Sequence, residues 1–268
     1  MAKGVFRATK KDGSTYYRSS ITLRGKHISL GSFDSEQEAH SAYQTALSVI
    51  SSNEKITPDE YSSEKYPVLD FRKWITLINF KNNGIYIKTP IYLQQNFFQY
   101  YLTPQDVLLF DVDDLFYYSN HAIMRRGNHL FVAEYGMQTN IHSRYGIRNF
   151  ARLDVDFRFV NGNENDYRYS NIEVINPYSG VTVTTEQGRT VYSTRIHIHG
   201  NYLVGHFPSL TEAAIAYNKA VDYVWQQGCP KQFTKNYLES LSRDSYMEYY
   251  EKITLPQKLL DYTPDTYQ

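Results

Sequence analysis

The chain has 268 residues, 41% of them apolar and 21% charged, and its 28 lysines and arginines balance 28 aspartates and glutamates. That length holds two domains or three small ones, with a composition ordinary for a globular protein. The single cysteine, Cys229, excludes an intramolecular disulfide framework and an all-cysteine metal site, and no window is long and apolar enough to span a bilayer.

No apolar run follows Met1, so the expectation is a soluble cytoplasmic protein, nucleoid-associated in a bacterial or phage setting. The 26 tyrosines fit half-buried sheet positions and amphipathic contact surfaces. Zero net charge hides an asymmetry. Residues 1–30 carry Lys3, Arg7, Lys10, Lys11, Arg18, Arg24 and Lys26 against Asp12 alone, whereas 101–120 carries Asp106, Asp111, Asp113 and Asp114 with no lysine or arginine. Such a local basic patch can steer a polyanion, because screening removes distant charge within about 10 Å.

Residues 1–50 read as three antiparallel strands and a helix. Tyr17, Ser19, Ile21 and Leu23 alternate with Arg18, Ser20, Thr22 and Arg24, which puts the two sets on opposite faces of one strand. Lys10-Lys11-Asp12-Gly13 turns into that strand and Arg24-Gly25-Lys26 turns out of it. Ser35 with Glu38 predicts a capping box, and Ala39, Ala42, Tyr43 and Ala46 form the apolar stripe of the helix that follows. The helix covers the Ile21 face, leaving Arg18, Ser20, Thr22 and Arg24 open and flanked by Lys10, Lys11 and Lys26. Arginine reads guanine edges in a bidentate manner, serine and threonine serve base or phosphate, and some sheets enter the major groove. On this pattern the open face is a candidate for double-stranded DNA.

A polar linker with Pro58 and Pro67 is expected over 51–68, followed by a central region over 69–176. The run Asp111-Val112-Asp113-Asp114 lacks the glycine and terminal glutamate of a calcium loop. Asn161-Gly162-Asn163 is a turn signal, Asn165-Asp166-Tyr167 can cap a short helix carrying Asn171, and Ile172 to Ile175 reads as a strand. No Walker loop or dinucleotide fingerprint is present.

The first segment, Gly4 to Leu47, is written again from Gly180 to Val221. Gly13, Tyr17, Ile21 and Gly25 match Gly188, Tyr192, Ile196 and Gly200. After one residue is lost in the turn, Gly31, Phe33, Ser35, Glu38, Ala39, Ala42 and Tyr43 match Gly205, Phe207, Ser209, Glu212, Ala213, Ala216 and Tyr217. Fixed spacing marks a duplicated unit, and two copies far apart suggest a two-headed binder. The second copy, over 177–228, is less basic, with Glu186 and Gln187 where the first has two lysines. His197 and His199 alternate on one strand face without a carboxylate or cysteine cluster, so phosphate or base contact is preferred to a metal pair. Gly228-Cys229-Pro230 ends its helix. In the tail, 229–268, Leu238, Leu241, Tyr246 and Tyr249-Tyr250 predict an amphipathic helix over Asn236 to Ile253, packing on its own domain or pairing with a protein partner or a second copy.

The repeated pattern resembles the ethylene-response-factor (Apetala-two) DNA-binding domain. The resemblance rests on the Gly-Val start, Tyr17, Ile21, Leu30-Gly31-x-Phe33, Glu38-Ala39 and Ala42-Tyr43, and on Val204-Gly205-x-Phe207, Glu212-Ala213 and Ala216-Tyr217. It implies a sheet lying in the major groove. The implied contacts are Arg7, Arg18, Ser20, Thr22 and Arg24, then Ser193, Arg195, His197 and His199, with Arg189 beside them. Both copies carry tyrosine where that family has a strand-two tryptophan. The stretch Leu115 to Val132, then Ile141 to Ile147, the Asn-Gly-Asn turn, Asp166-x-Arg168 and Ser170-Asn171-Ile172 resemble the HNH module of homing endonucleases. That family places Asp-His shortly before the turn, and here Arg158 and Phe159 stand there. Phenylalanine accepts no proton and arginine ligates no cation. His142, Asp154 and Asp156 are the nearby groups that a displaced site would draw on.

The expectation is an α+β chain in which two sheet-plus-helix domains flank a degenerate HNH core and a helical tail follows. It binds double-stranded DNA sequence-specifically, without cleavage, cofactor or metal, like a homing endonuclease of a phage or mobile element reused as a regulator. The alternatives are an active endonuclease with a displaced site and a protein-binding or architectural adaptor.

Overall fold

Both copies of the repeat fold into the same four-element unit. In the computed structural model, which describes residues 1–186 and 188–264, the first copy comprises β1 (Val5–Thr9), β2 (Thr15–Leu23), β3 (Lys26–Phe33) and α1 (Glu36–Ser51). The strands form an antiparallel sheet in chain order. The Ser35 hydroxyl accepts from the Glu38 N–H, starting α1 where the sequence predicts. The Glu38 carboxylate then accepts from the Ser35 hydroxyl, not from its backbone N–H. Ala39, Ala42, Tyr43 and Ala46 are buried, together with Val49.

Between the copies lie α2 (Phe71–Asn83), β4 (Ile91–Leu93), β5 (Phe97–Tyr101), β6 (Val107–Asp111) and α3 (Leu115–Asn120). A meander follows, β7 (Ile123–Arg126), β8 (His129–Glu134) and β9 (Met137–Asn140), and then the two-stranded ribbon of β10 (Phe157–Phe159) and β11 (Ile172–Val174). The second copy comprises β12 (Val181–Glu186), β13 (Arg189–His197), β14 (Asn201–Phe207) and α4 (Leu210–Gln226). Two helices, α5 (Arg243–Lys252) and α6 (Gln257–Leu260), close the described chain.

Contacts group the chain into two compact units. The first holds Met1–Ile141 with Phe159–Ile172, and the second holds His142–Arg158 with Glu173 onward. In the first unit, Ile21, Ile28 and Leu30 of the sheet share one core with Trp74, Leu77 and Ile78 of α2. Residues 51–68, expected as a polar linker, supply Ile56 and Tyr66 to that core. In the second unit, Leu238, Ile253, Leu255 and Leu259 of the tail are buried with Ile196 and Val221. The tail helix expected from Asn236 begins only at Arg243, capped by Ser242. Asn236 exchanges hydrogen bonds with the Asn218 side chain, its N–H donating to Oδ1 and its carbonyl accepting from Nδ2, which holds it outside a helix.

The residues that the two copies share are the ones that hold this unit together. Gly4 and Gly180 have φ near +79° and +73°, and a Cβ on either would lie 2.0 or 2.1 Å from the ring of Tyr43 or Tyr217. The Gly-x-Phe pair has a similar cause. A β-bulge opens in β3 at Leu30, where Ser19 pairs with Gly31 but Ser20 with Ser29, and Phe33 lays its ring over Gly31. The second sheet repeats this at Val204, with Phe207 over Gly205.

Candidate nucleic-acid interface

Paired residues of an antiparallel sheet project to the same face, so the register sorts the predicted contacts. Ile21 and Ile28 pair and are buried. The neighbouring pairs, Thr22 with His27, Ser20 with Ser29 and Arg18 with Ser32, therefore lie on the other face, joined by Phe6, which pairs with Arg18. Arg18, Thr22, His27, Ser29 and Ser32 are exposed. Ser20 is only 8% exposed and sits in a groove of about 430 Å³ lined by Phe6, Arg18, Ser19, Ser20, His27 and Ser29. His27 and Ser29 alternate along β3, but the bulge at Leu30 shifts the phase before Ser32, and reading β2 alone misses these three and Phe6.

Three predicted contacts fall elsewhere. Arg7 pairs with Tyr17, so its parity places it on the face opposite Arg18, and its guanidinium donates to Thr15 Oγ1 at 3.3 Å. Arg24, at φ 48°, leaves the strand and donates to the carbonyls of Phe80 and Lys81, both at 3.4 Å, with its guanidinium over the Phe80 ring. These carbonyls belong to the last turn of α2, where the helix dipole favours a cation. Lys26 pairs with Leu23 on the core side and its ammonium lies 4.7 Å from the Tyr86 ring centre. Arg24 thus ties the first sheet to α2, and Lys26 ties it to the segment that follows α2. Arg24→Ala is expected to lower the unfolding free energy of this unit by up to about 1 kcal/mol and to leave any sequence preference unchanged, as urea titration and competition binding would report. Lys10 and Lys11 remain exposed in the β1–β2 turn.

In the second sheet, Thr194 and Ile196 are buried, Thr194 donating to the Ala213 carbonyl of α4. Arg189, Ser193, Arg195 and His197 therefore share the opposite face. Arg189, Arg195 and His197 are exposed, and His199 is exposed in the β13–β14 turn. The Ser193 hydroxyl is buried against His206 Nδ1 at 2.8 Å, and His197 Nδ1 lies 3.0 Å from Asn201 Oδ1. Gln187 and the side chain of Glu186, read from the sequence as the reason for the lower basicity, lie outside the described residues. On the open faces, the first copy's Arg18, Ser20 and Thr22 correspond to Ser193, Arg195 and His197 in the second. The copies share their packing residues and differ in their surface residues.

Arg158, Phe159 and Asn171, the positions that the nuclease resemblance picks out, make structural contacts. Arg158 is ion-paired with Glu173 at 2.7 Å. Phe159 is buried edge-on against Tyr167, with ring centres 5.6 Å apart. Asn171 accepts from the Asn161 N–H and donates to the Asp166 carbonyl, closing the Asn-Gly-Asn turn. Burial pushes the Asp166 carboxyl upward, but hydrogen bonds from Arg168 and Asn161 outweigh this and leave it below the usual carboxylate range. His142 packs edge-on against Phe157.

Asp156, the nearest substitute acid, is fully buried. It accepts from Arg148 Nη2 at 2.9 Å, Arg152 N–H at 2.8 Å and Asn176 Nδ2 at 2.7 Å. Burial raises its pKa, and these donors outweigh burial and hold it below the ordinary value. It is saturated as an acceptor and aimed at guanidinium groups, not at an open position. Among the described residues, no group of three or more histidine, cysteine or acidic side chains is placed to hold a metal ion, and no helix is long and apolar enough to cross a membrane.

Comparison with protein-family models, with curated proteins and with solved structures finds no match to this chain.

Proposed function

We propose that the chain is a sequence-specific double-stranded DNA-binding protein that does not cut its target, a regulator with the two-headed plan of an ethylene-response-factor-like pair joined by a degenerate HNH remnant. The observation that carries this reading is the pair of three-stranded sheets, each with a helix on one face and exposed arginine, threonine or histidine on the other. Arg18 and Arg195 are the base-reading candidates, because each sits mid-strand on an open face. Lys10, Lys11, Arg189 and His199 lie in turns or at a strand end and serve phosphate. The different side chains on the two faces suit two different half-sites, and linkage raises affinity through effective concentration when the half-site spacing fits.

The test is selection from a random duplex library with the intact chain in magnesium, scored for enrichment and for cutting. A bipartite enriched motif left uncut is the expected result, and cut products would overturn the non-cleaving part of the reading. On the enriched duplex, Arg18→Ala and Arg195→Ala should each weaken binding by about 1–3 kcal/mol and relax preference in one half-site. Equal weakening on every sequence would reduce both to phosphate contacts.

A further inference from the structure

We infer that Phe150 is a wedge that enters a base step of the duplex bound by the second sheet, an inference that rests on the DNA-binding reading above. Phe150 is 96% exposed and has φ 64°. It stands third in a four-residue turn closed by the Ala151 N–H to the Arg148 carbonyl at 3.2 Å. Glycine or asparagine is the residue that relieves left-handed backbone at that position, yet the asparagine of this turn, Asn149, stands one place too early. An aromatic ring there gains no packing and strains the backbone, so the fold of the turn does not require it. Tyr135 is also exposed with positive φ, but it forms a two-residue hairpin turn with Gly136, in which both residues adopt that conformation.

The turn that carries Phe150 is held on both sides. Asp156 clamps Arg148, the Arg152 N–H and Asn176, and the two guanidiniums continue to the free edge of β12, Arg148 to the Val181 carbonyl at 2.9 Å and Arg152 to the Val183 carbonyl at 3.1 Å. The turn is thus fastened to the edge of the sheet whose open face carries Arg189, Arg195 and His197. A basic sheet face with an exposed apolar side chain on a turn fastened to its edge matches two features of duplex DNA, its phosphates and its stacked base steps. Apolar wedges that part a base step kink the duplex and bring more of it against the protein. The half-exposed Arg152 guanidinium lies two residues from the ring, where it can meet a phosphate of the kinked strand.

The experiment uses the full chain, wild type and Phe150→Gly, with a mixed-sequence duplex and the duplex recovered by selection. 2-Aminopurine is placed at successive positions to report unstacking, and end labels report bending by energy transfer. Glycine removes the ring and relieves the backbone, so the unfolding midpoint should hold or rise. Wild type should raise the fluorescence at one step and shorten the end-to-end distance. Phe150→Gly should do neither and should bind roughly tenfold more weakly. Binding, bending and fluorescence equal to wild type would overturn the wedge while leaving the DNA-binding reading intact, and would reassign the ring to a protein partner. A lowered midpoint would overturn it by making Phe150 structural. Wild type that binds neither duplex would overturn both readings.

Discussion

Replacing Asp156 with alanine is expected to destabilise the second unit by about 3–5 kcal/mol, the range for removing one partner of a buried ion pair. The carboxylate is the common acceptor of Arg148, Arg152 and Asn176, and without it Arg148 keeps, among the described residues, the Val181 carbonyl alone. Arg148 Nε is already buried without a hydrogen bond among the described residues, so little in the pocket can absorb the loss. The chain has two tryptophans, Trp74 in the first unit and Trp225 in the second. Urea unfolding of a Trp74→Phe background, followed by Trp225 fluorescence, therefore reports the second unit.

The same carboxylate has a pH signature. Its folded pKa is depressed below the unfolded value of about 3.9, so its stabilisation is present above that value and is lost as pH falls through the folded pKa. Asp156→Asn keeps one of the two accepting oxygens, turns the other into a donating amide and removes the charge. The stability gap between wild type and this variant should be widest above about pH 5 and should shrink below about pH 4. A gap independent of pH would show that hydrogen bonding, and not charge, holds the clamp.

Gly180→Ala is expected to be the most damaging glycine substitution in the repeats, lowering stability by about 2–5 kcal/mol as the sum of left-handed backbone strain and overpacking. At Gly180 a Cβ would meet Tyr217 at 2.1 Å and also the Arg195 carbonyl at 2.6 Å, whereas at Gly4 the three nearest atoms, at 2.0 to 2.6 Å, all belong to the Tyr43 ring. A ring can turn aside, but a carbonyl that ends a strand pair cannot. Gly4→Ala should therefore be milder, and Tyr43→Ala should rescue it more fully than Tyr217→Ala rescues Gly180→Ala. Unfolding midpoints of the four single and two double variants test the order.

The repeat was legible because its signals are local. Turn glycines, the alternation of β2 and β13, the serines before α1 and α4 and the alanine stripes each act within a few residues, and the elements form where those signals place them. The candidate site was only half legible. Alternation found Arg18, Thr22, Arg195 and His197, but missed His27, Ser29, Ser32 and Phe6, because strand pairing and not spacing brings them to the same face. Arg24 and Lys26 had the charge and position expected of DNA contacts. Their use depends on distant residues, the Phe80 carbonyl of α2 lying 56 residues further along the chain from Arg24 and the Tyr86 ring meeting Lys26.

Residue identity and short spacing alone suffice to show that the chain carries two copies of one strand-and-helix unit. What the remaining polar groups do is set by folding. Folding draws Arg24 into the end of α2, binds Asp156 between two arginines, holds Asn236 against Asn218 outside a helix and leaves Phe150 in solvent. A charge or ring finds its partner through space, and only the folded chain fixes which partners lie within hydrogen-bonding reach.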